Sequence, residues 1–556
     1  MRVAGGLILI CMFFAGCNGH KDCCPGPPSP TPVNFIITSW SVNNVLSQTT
    51  NYNVSRSPVI KLKFETAIEK NTVAANLALK DNAGAAVAYN VSYENADSII
   101  VLQPSSSLNF LSKYRVTVAT DLRSTNGGKL ISPVDISLVT SIDSSRKFPA
   151  ISDNALLDLV QQQTFKYFWD FGHPVSGLAR ERSNGDNNVV TTGGSGFGIM
   201  AIPVAINRNF ITRAEGLTRM QKIVGFLKNT APHFHGAFSH WMNGTTGAVV
   251  PFSANDNGAD LVETSYLMTG LLTARQYFNT ADPAEVTLRN DINTLWNDVE
   301  WDWFRQNGKK VLYWNWSPSA GFAVNVPVQG WNECLITYVL AASSTSHGIN
   351  KPVYDSGFAR NGAMVNGNTY YGYQLPLGPN LGGPLFFAHY SFLGIKPTGL
   401  TDAYANYQTQ TLNHTLINYN YCKANPAGQF GYSDSVWGLT ASDIPNGYTA
   451  SSPTNDVGVI APTAAISSIP YTPTESMKAL KFFYYVLGDK LWSDYGFRDA
   501  FSLKDTWFAG SYLAIDQGPI IVMIENYRSG LIWNLFTSCP EVKAGMLSLG
   551  FSASYL

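Results

Sequence analysis

The spacing of apolar residues changes near residue 148 and divides the chain into two parts. Between residue 35 and about residue 143, short runs alternate apolar and polar positions and are separated by turn residues, which is the pattern of β-strands. The seven runs are FIITSWSV, SPVIKLKF, NLALKD, AVAYNVSYE, SIIVLQP, YRVTVAT and VDISLVTS. Seven strands in roughly a hundred residues predict a small immunoglobulin-like β-sandwich over residues 35–145.

From residue 148 onward, apolar residues recur at intervals of three and four, which predicts about a dozen helices. Long loops rich in Gly, Pro, Asn and Trp join them, at 233–257, 309–330 and 361–386. Loops of this length often carry function. Because no fixed-period repeat is visible, we predict a closed double ring of helices over residues 148–556, an (α/α)6 toroid, rather than a solenoid.

The composition favours a sugar as ligand over a nucleic acid. Charged residues make up 13% of the chain, and the aromatic residues Phe, Trp and Tyr also make up 13%. The 37 basic and 38 acidic residues balance, and no basic cluster is available to neutralise a phosphate backbone. Aromatic rings and neutral amides suit the apolar faces and hydroxyl rims of pyranoses, although much of the aromatic content of so long a chain must lie in its core.

The N-terminus predicts export. An apolar run from Leu7 to Phe14 precedes Ala-Gly-Cys17, which is typical of a signal peptide over residues 1–17. The run is too short to span a bilayer, so we expect Cys17 to be lipidated and the protein to lie in the cell envelope, in the periplasm or at the outer membrane. A plain secretory signal cut elsewhere is the alternative. Residues 18–34 are Pro-rich and predict a tether.

The cysteines predict neither a disulfide framework nor a zinc site. The chain has seven cysteines, of which only Cys334, Cys422 and Cys539 lie in the body of the protein. Their number is odd and their spacing wide, and no pair of C-x-x-C units occurs. We therefore expect them to be buried apolar residues.

The densest acidic signal is the segment from Asp256 to Glu263. Asp260 and Glu263 are three residues apart, so they share one face of a helix that begins near Gly258, with Asp256 at its entrance. Acids in a first turn also cap a helix and favour its dipole, so a purely structural role stays open for all three.

Two further acids stand where a loop meets a helix. Glu333 lies in the segment QGWNECL, beside a tryptophan, and Asp516 lies in AIDQGP between an apolar run and the next helix. Helix capping is the alternative for both. Glycoside hydrolysis needs two carboxyl groups on opposite sides of the scissile bond, and acids from separate loops at one mouth can supply them.

Other polar residues carry weaker signals. Arg180 and Arg182 lie in a polar loop, where they either bind sugar hydroxyls or form a solvated salt-bridged turn. His233, His235 and His240 have no acid at the spacing of a metal motif, so we predict loop histidines and no metal. The run TTGGSGFG lacks the Lys-Ser/Thr of a phosphate loop and more plausibly begins a tightly packed inner helix.

Together these motifs resemble a known family. The segments GLARERSN, VVTTGGSGFGIMAI, D-x-x-x-D-x-x-E, QGWNE and IDQGPIIVMIENYRSGLIW, with a Trp-bearing loop between them, resemble the bacterial glucoamylase-like family, glycoside hydrolase family 144, over residues 150–556. The resemblance implies an (α/α)6 barrel and inverting hydrolysis of β-1,2-glucan, either endo-acting or releasing short products such as sophorose. It places functional acids at Asp256, Asp260, Glu263 and Glu333.

The resemblance leads to a mechanistic hypothesis. Glu333 protonates the leaving oxygen, Asp516 activates water, and Asp256, Asp260 and Glu263 bind hydroxyls, although the five roles are open to permutation. We expect stacking on Trp241, Trp331 and Trp437, and binding by Arg180 and Arg182. No cofactor is expected, the membrane is contacted only through the lipid anchor, and one chain acts alone. A toroid enzyme for a different glucan and a non-catalytic glycan-binding lipoprotein remain alternatives.

Overall fold

The computed structural model describes residues 31–556. The predictions for Cys17 and for most of the tether therefore lie outside the described residues. In residues 31–556, no helix has both the length and the apolarity needed to cross a membrane. The chain forms two compact units, of which one holds the chain up to Leu108 and Lys113–Leu138, and the other holds Asn109–Ser112 and Val139–Leu556.

The first unit is a β-sandwich, as predicted. Its nine strands are β1 Ile37–Val42, β2 Val45–Leu46, β3 Thr50–Val54, β4 Ile60–Phe64, β5 Leu77–Asp81, β6 Tyr89–Glu94, β7 Ile99–Pro104, β8 Lys113–Val118 and β9 Val134–Thr140. One sheet has the order β2-β1-β4-β7-β6 and the other the order β3-β9-β8-β5. All seven predicted strands are confirmed, and the two that the pattern missed, β2 and β3, are mostly exposed and lack apolar alternation.

Alternation along the strands builds the core between the two sheets. In β4, Ile60, Leu62 and Phe64 are buried, whereas Lys63 is exposed. Because side chains alternate across a strand, each such strand covers the core with one face and meets solvent with the other.

The second unit is a double ring of helical segments. The inner ring contains Thr192–Asn207, Leu261–Tyr277, Leu335–Ser343, the short turns Leu385–Ala388 and Ser391–Leu393, Pro462–Ile466 and Ala514–Arg528. The outer ring contains Asp153–Trp169, Arg213–Asn229, Pro283–Asn297, Lys351–Val353 with Tyr354–Phe358, Tyr407–Ala424 and Pro473–Tyr485. Leu531–Thr537 and Pro540–Leu549 follow the last inner helix. Inner and outer segments alternate along the chain, which confirms the predicted (α/α)6 toroid.

Contacts between neighbouring inner segments close the ring. Helix Thr192–Asn207 packs against both Leu261–Tyr277 and Ala514–Arg528, and the latter packs against Pro462–Ile466. The fourth and fifth inner segments are joined by the hydrogen bond between His389 Nε2 and Ser468 Oγ, 2.9 Å long. Inner helices are enclosed on every side, and all residues from Leu261 to Ala274 are buried.

Glycines allow the closest approach inside the ring. A Cβ at position 196 would lie 2.2 Å from the carbonyl oxygen of Tyr266, and one at Gly193 would lie 2.4 Å from Oε2 of Glu263. Since real Cβ atoms do not approach other atoms so closely, the run TTGGSGFG is explained by tight packing of two inner helices, as predicted. The three body cysteines, Cys334, Cys422 and Cys539, are free, and their burial confirms the prediction that they are buried residues.

Candidate active site

A cavity of about 560 Å³ lies at the end of the ring where the inner helices begin. Its polar wall contains Glu181, Arg182, Thr191, His240, Glu263 and Glu333. Its aromatic wall contains Trp241, Phe252, Tyr266, Trp314, Phe386, Tyr390 and Tyr448. The cavity therefore joins carboxyl groups from two inner helix starts to an aromatic surface that suits the apolar face of a sugar ring.

Glu263 is held at the meeting point of two inner helices. Its Oε2 accepts a hydrogen bond of 2.7 Å from the backbone N–H of Gly193, at the start of Thr192–Asn207. Burial raises the pKa of Glu263 to about 7, and the negative charge of Asp260 adds to this, while His240 and the Gly193 N–H oppose it. Near neutral pH, this carboxyl group therefore exists in both protonation states.

Glu333 lies just before the inner helix Leu335–Ser343 and faces the same cavity. Its backbone carbonyl accepts a hydrogen bond from the hydroxyl of Ser391, which fixes the turn that carries it. Burial raises the pKa of its carboxyl group to about 7, with smaller contributions from the charges of Glu263 and Asp260. Near neutral pH, a substantial fraction of this group is therefore protonated and able to donate its proton.

His240 is a site residue that the sequence analysis assigned to an ordinary loop. Its Nδ1 lies 2.8 Å from Oδ2 of Asp260, the residue that caps helix Leu261–Tyr277 by accepting from the Glu263 N–H. Burial alone lowers the pKa of His240, but Glu263, Asp260 and Asp256 outweigh burial and raise it to about 9. The imidazole is therefore charged at neutral pH, and both of its nitrogens are donors.

Asp260 and Asp256 lie behind the wall rather than on it. Asp260 is buried, and its carboxylate is occupied by capping and by His240. Asp256 is partly buried at the entrance to this segment, and burial together with the charge of Asp260 raises its pKa to about 6. Both aspartates therefore act on the cavity indirectly, because their charges raise the pKa values of His240 and Glu263.

A second set of acidic side chains lies beside the cavity, next to Arg182. The guanidinium of Arg182 donates to Asp443, 3.2 Å away, and to Glu181, 3.0 Å away. Asp516 is 2% exposed, in the first turn of helix Ala514–Arg528, and its neighbours Leu513 and Ile515 line the cavity. Burial and the adjacent Asp499 raise the pKa of Asp516 well above the ordinary value.

Three predicted binding residues are wrong. Arg180 donates to the carbonyls of Asn187 and Phe171 and does not line the cavity. Trp437 is fully buried in the hydrophobic core, and Trp331 is packed between aromatic rings in the same unit. A ring enclosed on both faces has no face left for a sugar.

Of the predicted platforms, Trp241 lies in the cavity, where it packs against Phe252 with ring centroids 4.9 Å apart. Two further aromatic residues of the cavity were not predicted: Trp314, in the segment YWNW, and Tyr448, on the hairpin formed by Ala441–Ile444 and Gly447–Ala450. The position of Trp314 inside the long loop 309–330 was the available signal for the first, and nothing in the sequence marked the second. In residues 31–556, no cluster of three or more His, Cys, Asp or Glu side chains is arranged to hold a metal ion.

Comparison with known proteins identifies the family. Residues 325–540 match the family model described as "Putative glucoamylase", and residues 38–140 match that of the bacterial Ig-like domain. An endo-β-1,2-glucanase from Chitinophaga pinensis, solved with sophorotriose and glucose, is 52% identical with a TM-score of 0.72, and the match covers 73% of this chain and 100% of that one. The chain belongs to the glucoamylase-like family, glycoside hydrolase family 144.

Two further relatives extend the comparison. A β-1,2-glucanase structure from Parabacteroides distasonis is 39% identical with a TM-score of 0.70, over 92% of this chain and 74% of that one. A curated exo β-1,2-glucooligosaccharide sophorohydrolase (non-reducing end) from the same species is 47% identical over 441 residues, which are 75% of this chain. The present chain spans 61% of the length of that curated relative.

Proposed function

We propose that this protein is a glycoside hydrolase that cleaves β-1,2-glucan or its oligosaccharides by an inverting mechanism with two carboxyl groups. The observation that carries the proposal is the pair Glu263 and Glu333, two buried carboxyl groups that face one aromatic-lined cavity. Family membership supplies the linkage, because the relatives named above act on β-1,2-linked glucans.

Glu333 is the proposed general acid. A general acid must be protonated at working pH, and burial raises the pKa of Glu333 to about 7. The aromatic wall then binds the sugar rings and excludes water, while the charged His240 and Arg182 donate hydrogen bonds to hydroxyl groups.

The general base has two candidates. Asp516 is the first, since it stands in the first turn of an inner helix and its Oδ2 accepts no hydrogen bond from an N–H or O–H group within residues 31–556. Glu263 is the second, because it lines the cavity itself whereas Asp516 lies behind Leu513 and Ile515. In the second arrangement, Asp516 supports the wall and Glu263 meets the water directly.

The activity is tested on the exported form without residues 1–17. Linear β-1,2-glucan, laminarin and soluble starch are incubated with wild type and with Glu333→Gln, and the products are separated by chromatography. We expect short β-1,2-linked products from wild type and a loss of roughly 10²-fold to 10⁴-fold in the variant. The length of the first products distinguishes endo from exo attack, and the anomer seen by NMR tests inversion.

The acid and base roles are separated with an aryl β-sophoroside. A good aryl leaving group needs no proton, so a variant that lacks only the acid recovers activity on this substrate, whereas a variant that lacks the base does not. We expect recovery for Glu333→Gln and none for Asp516→Asn. If Asp516→Asn keeps wild-type activity and Glu263→Gln is inactive on both substrates, the base is Glu263.

Two alternative functions give different results in the same assay. Cleavage of laminarin or starch instead of β-1,2-glucan would indicate a toroid enzyme for another glucan. Retained binding with all glucans intact would indicate a glycan-binding protein. After hydrolysis of β-1,2-glucan, we rank hydrolysis of another glucan next, because the fold and the carboxyl pair suit any glucan.

We also propose a lipid anchor at Cys17, a location in the cell envelope and a monomeric state. The signal-peptide pattern before Cys17 supports the first two. Metabolic labelling with a fatty acid should mark wild type and leave Cys17→Ala unlabelled, with the variant lost from the membrane fraction. Light scattering of the form without residues 1–17 measures the mass, and a dimer would refute the third.

A further inference from the structure

A buried acidic cluster beside the cavity has too few cations to be fully ionised. Its four carboxyl groups belong to Glu181, Asp443, Asp499 and Asp516, and the cations that act on them are the guanidinium of Arg182 and, at Glu181, the charged His240. The guanidinium of Arg182 is hydrogen bonded to two of them, Asp443 and Glu181. Since each uncompensated buried charge costs several kcal/mol, at least one carboxyl group of the cluster keeps its proton near neutral pH.

The geometry indicates where this proton resides. The backbone N–H of Asp443 donates to Oδ2 of Asp499 over 2.7 Å. The other oxygen of Asp499, Oδ1, and Oδ2 of Asp516 are enclosed, and no N–H or O–H group of the described residues donates to either of them while both side chains are ionised. The two side chains are hydrogen-bonding neighbours, and a hydrogen bond between two carboxyl groups requires a proton on one of them.

We propose that Asp499 is the positioning residue for Asp516: the two carboxyl groups share one proton, and the pair presents a single negative charge for general-base catalysis. This inference rests on the proposed function and on Asp516 as the base. Asp443 fixes Asp499 through its backbone N–H, and Arg182 and the hydroxyl of Ser511 in turn fix the Asp443 carboxylate.

The shared proton gives the reaction a defined proton balance. As water attacks the anomeric carbon, its O–H bond breaks and the glycosidic C–O bond breaks, with the Glu333 proton passing to the leaving oxygen. The water proton joins the Asp499–Asp516 pair, which then holds two protons and no net charge. After product release, the pair loses one proton to solvent and Glu333 takes one up, which restores the starting state.

The titratable groups that face the pair come from four other elements. The hairpin contributes Asp443 and Tyr448, the loop before Thr192–Asn207 contributes Arg182, the fourth inner segment contributes Tyr390, and the outer helix Asp153–Trp169 contributes the buried Tyr167, which is also neutral. Burial raises the pKa of Tyr390 well above the ordinary tyrosine value. Tyr448 is half exposed, and a tyrosine is neutral throughout the working range. Asp443 and Arg182 are therefore the charged groups that decide how tightly the pair holds its proton.

The test is the pH profile of Asp499→Asn. The amide keeps the shape of the side chain, accepts from the Asp443 N–H and donates to Asp516, but it removes the shared proton and the like charge. We expect the acidic limb of the kcat/KM profile to move to lower pH by about one unit or more, and the plateau kcat to fall roughly tenfold because the base is weaker. The matched control, Asp489→Asn on the exposed surface, should leave both unchanged.

A spectroscopic readout separates this role from a merely structural one. Infrared difference spectra at neutral pH should show that wild type has one more protonated carboxyl band than Asp499→Asn, and the same band should be missing in Asp516→Asn. If Asp499→Asn fails to fold, Asp443→Asn is the second variant, because it removes a charge that faces the pair and keeps the pair itself. The acidic limb of its kcat/KM profile should also move to lower pH, by less than is expected for Asp499→Asn.

Each outcome decides one question. If wild type does not cleave β-1,2-glucan, or if Asp516→Asn is fully active, the proposed function or the base assignment fails. If Asp516→Asn is inactive while Asp499→Asn keeps the wild-type limb and the wild-type carboxyl band, Asp499 has no such role and the inference is overturned.

Discussion

A buried ion pair at the opposite end of the last inner helix allows a stringent test of how the ring is stabilised. Glu525 is fully buried and accepts five hydrogen bonds, two from Arg208 at 2.7 and 2.9 Å, and one each from Asn207 at 3.1 Å, Gln161 at 3.1 Å and Ser529 at 2.6 Å. The change Glu525→Gln keeps the shape but turns one acceptor oxygen into a donor that faces other donors. The Arg208 charge also loses its partner.

The expected cost follows from these contacts. Removing one member of a buried ion pair costs about 3–5 kcal/mol, and for a unit of this size that corresponds to a fall in Tm of roughly 3–6 °C. The control Asp291→Asn breaks a partly exposed pair with Lys228, 2.6 Å long, and should cost less than about 1 kcal/mol. Urea and thermal unfolding measure both.

The same variant has a predicted pH dependence and a predicted lack of effect on catalysis. Burial raises the pKa of Glu525, but the hydrogen bonds from Arg208, Ser529 and Gln161 outweigh it and hold the pKa below its ordinary value. The stabilisation is therefore complete above the ordinary carboxyl pKa and is lost as pH falls through the lower folded value, so variant and wild type converge in acid. Asp516 lies nine residues away, about 14 Å along the helix, so activity at low temperature should stay within about twofold. A change of less than 1 kcal/mol in the free energy of unfolding at neutral pH would refute the reasoning.

Three further predictions test the site and the core. Because the pKa of Glu333 is about 7 and the acid form is required, kcat/KM should fall as pH rises through about 7. Glu263→Gln removes a neighbouring negative charge, so it should move this fall in kcat/KM to lower pH. A flat profile from pH 6 to 8 would contradict the assignment of Glu333 as the general acid. Trp241→Ala should raise KM for β-1,2-glucan roughly tenfold with little loss of stability, whereas Trp437→Ala should cost about 3–5 kcal/mol of stability; the reverse pattern would return Trp437 to the site. Burial lowers the pKa of His414 to about 4, so the folded state binds fewer protons than the unfolded state below about pH 6.5 and loses stability as pH falls. His414→Gln should therefore flatten the dependence of the free energy of unfolding on pH between pH 6.5 and 4.5. An unchanged dependence would show that His414 is not its source.

The strands, the helices and the positions of the main acids could be predicted because they depend on local pattern. Alternation in IKLKF identified a strand with one buried face, and the three-residue spacing of Asp260 and Glu263 located a helix start. The exposed strands β2 and β3 were missed because strands that cover no core leave no alternation in the sequence.

The tryptophans show where sequence reasoning reaches its limit. Trp241, Trp331 and Trp437 all lie in polar or glycine-rich loops, yet only the first lines the cavity. Whether a ring in a loop faces solvent or core depends on which helices pack against it, and that packing is set by residues far away in the chain. The same holds for Arg180 and Arg182, which are two residues apart. Arg180 donates to the carbonyls of Asn187 and Phe171, whereas Arg182 lines the cavity, and the spacing of the two residues does not distinguish these places.

Local sequence patterns were sufficient to predict the two-part architecture, the ring of helices and the acids at helix starts, because periodicity and capping are properties of neighbouring residues. The folded structure was needed to show that Glu263 and Glu333 face one cavity, that His240 is charged by three nearby aspartate and glutamate side chains, and that Asp499 meets Asp516. The charge state of a buried group depends on the distance to every other charge and on exclusion of water, and closing the ring is what sets both.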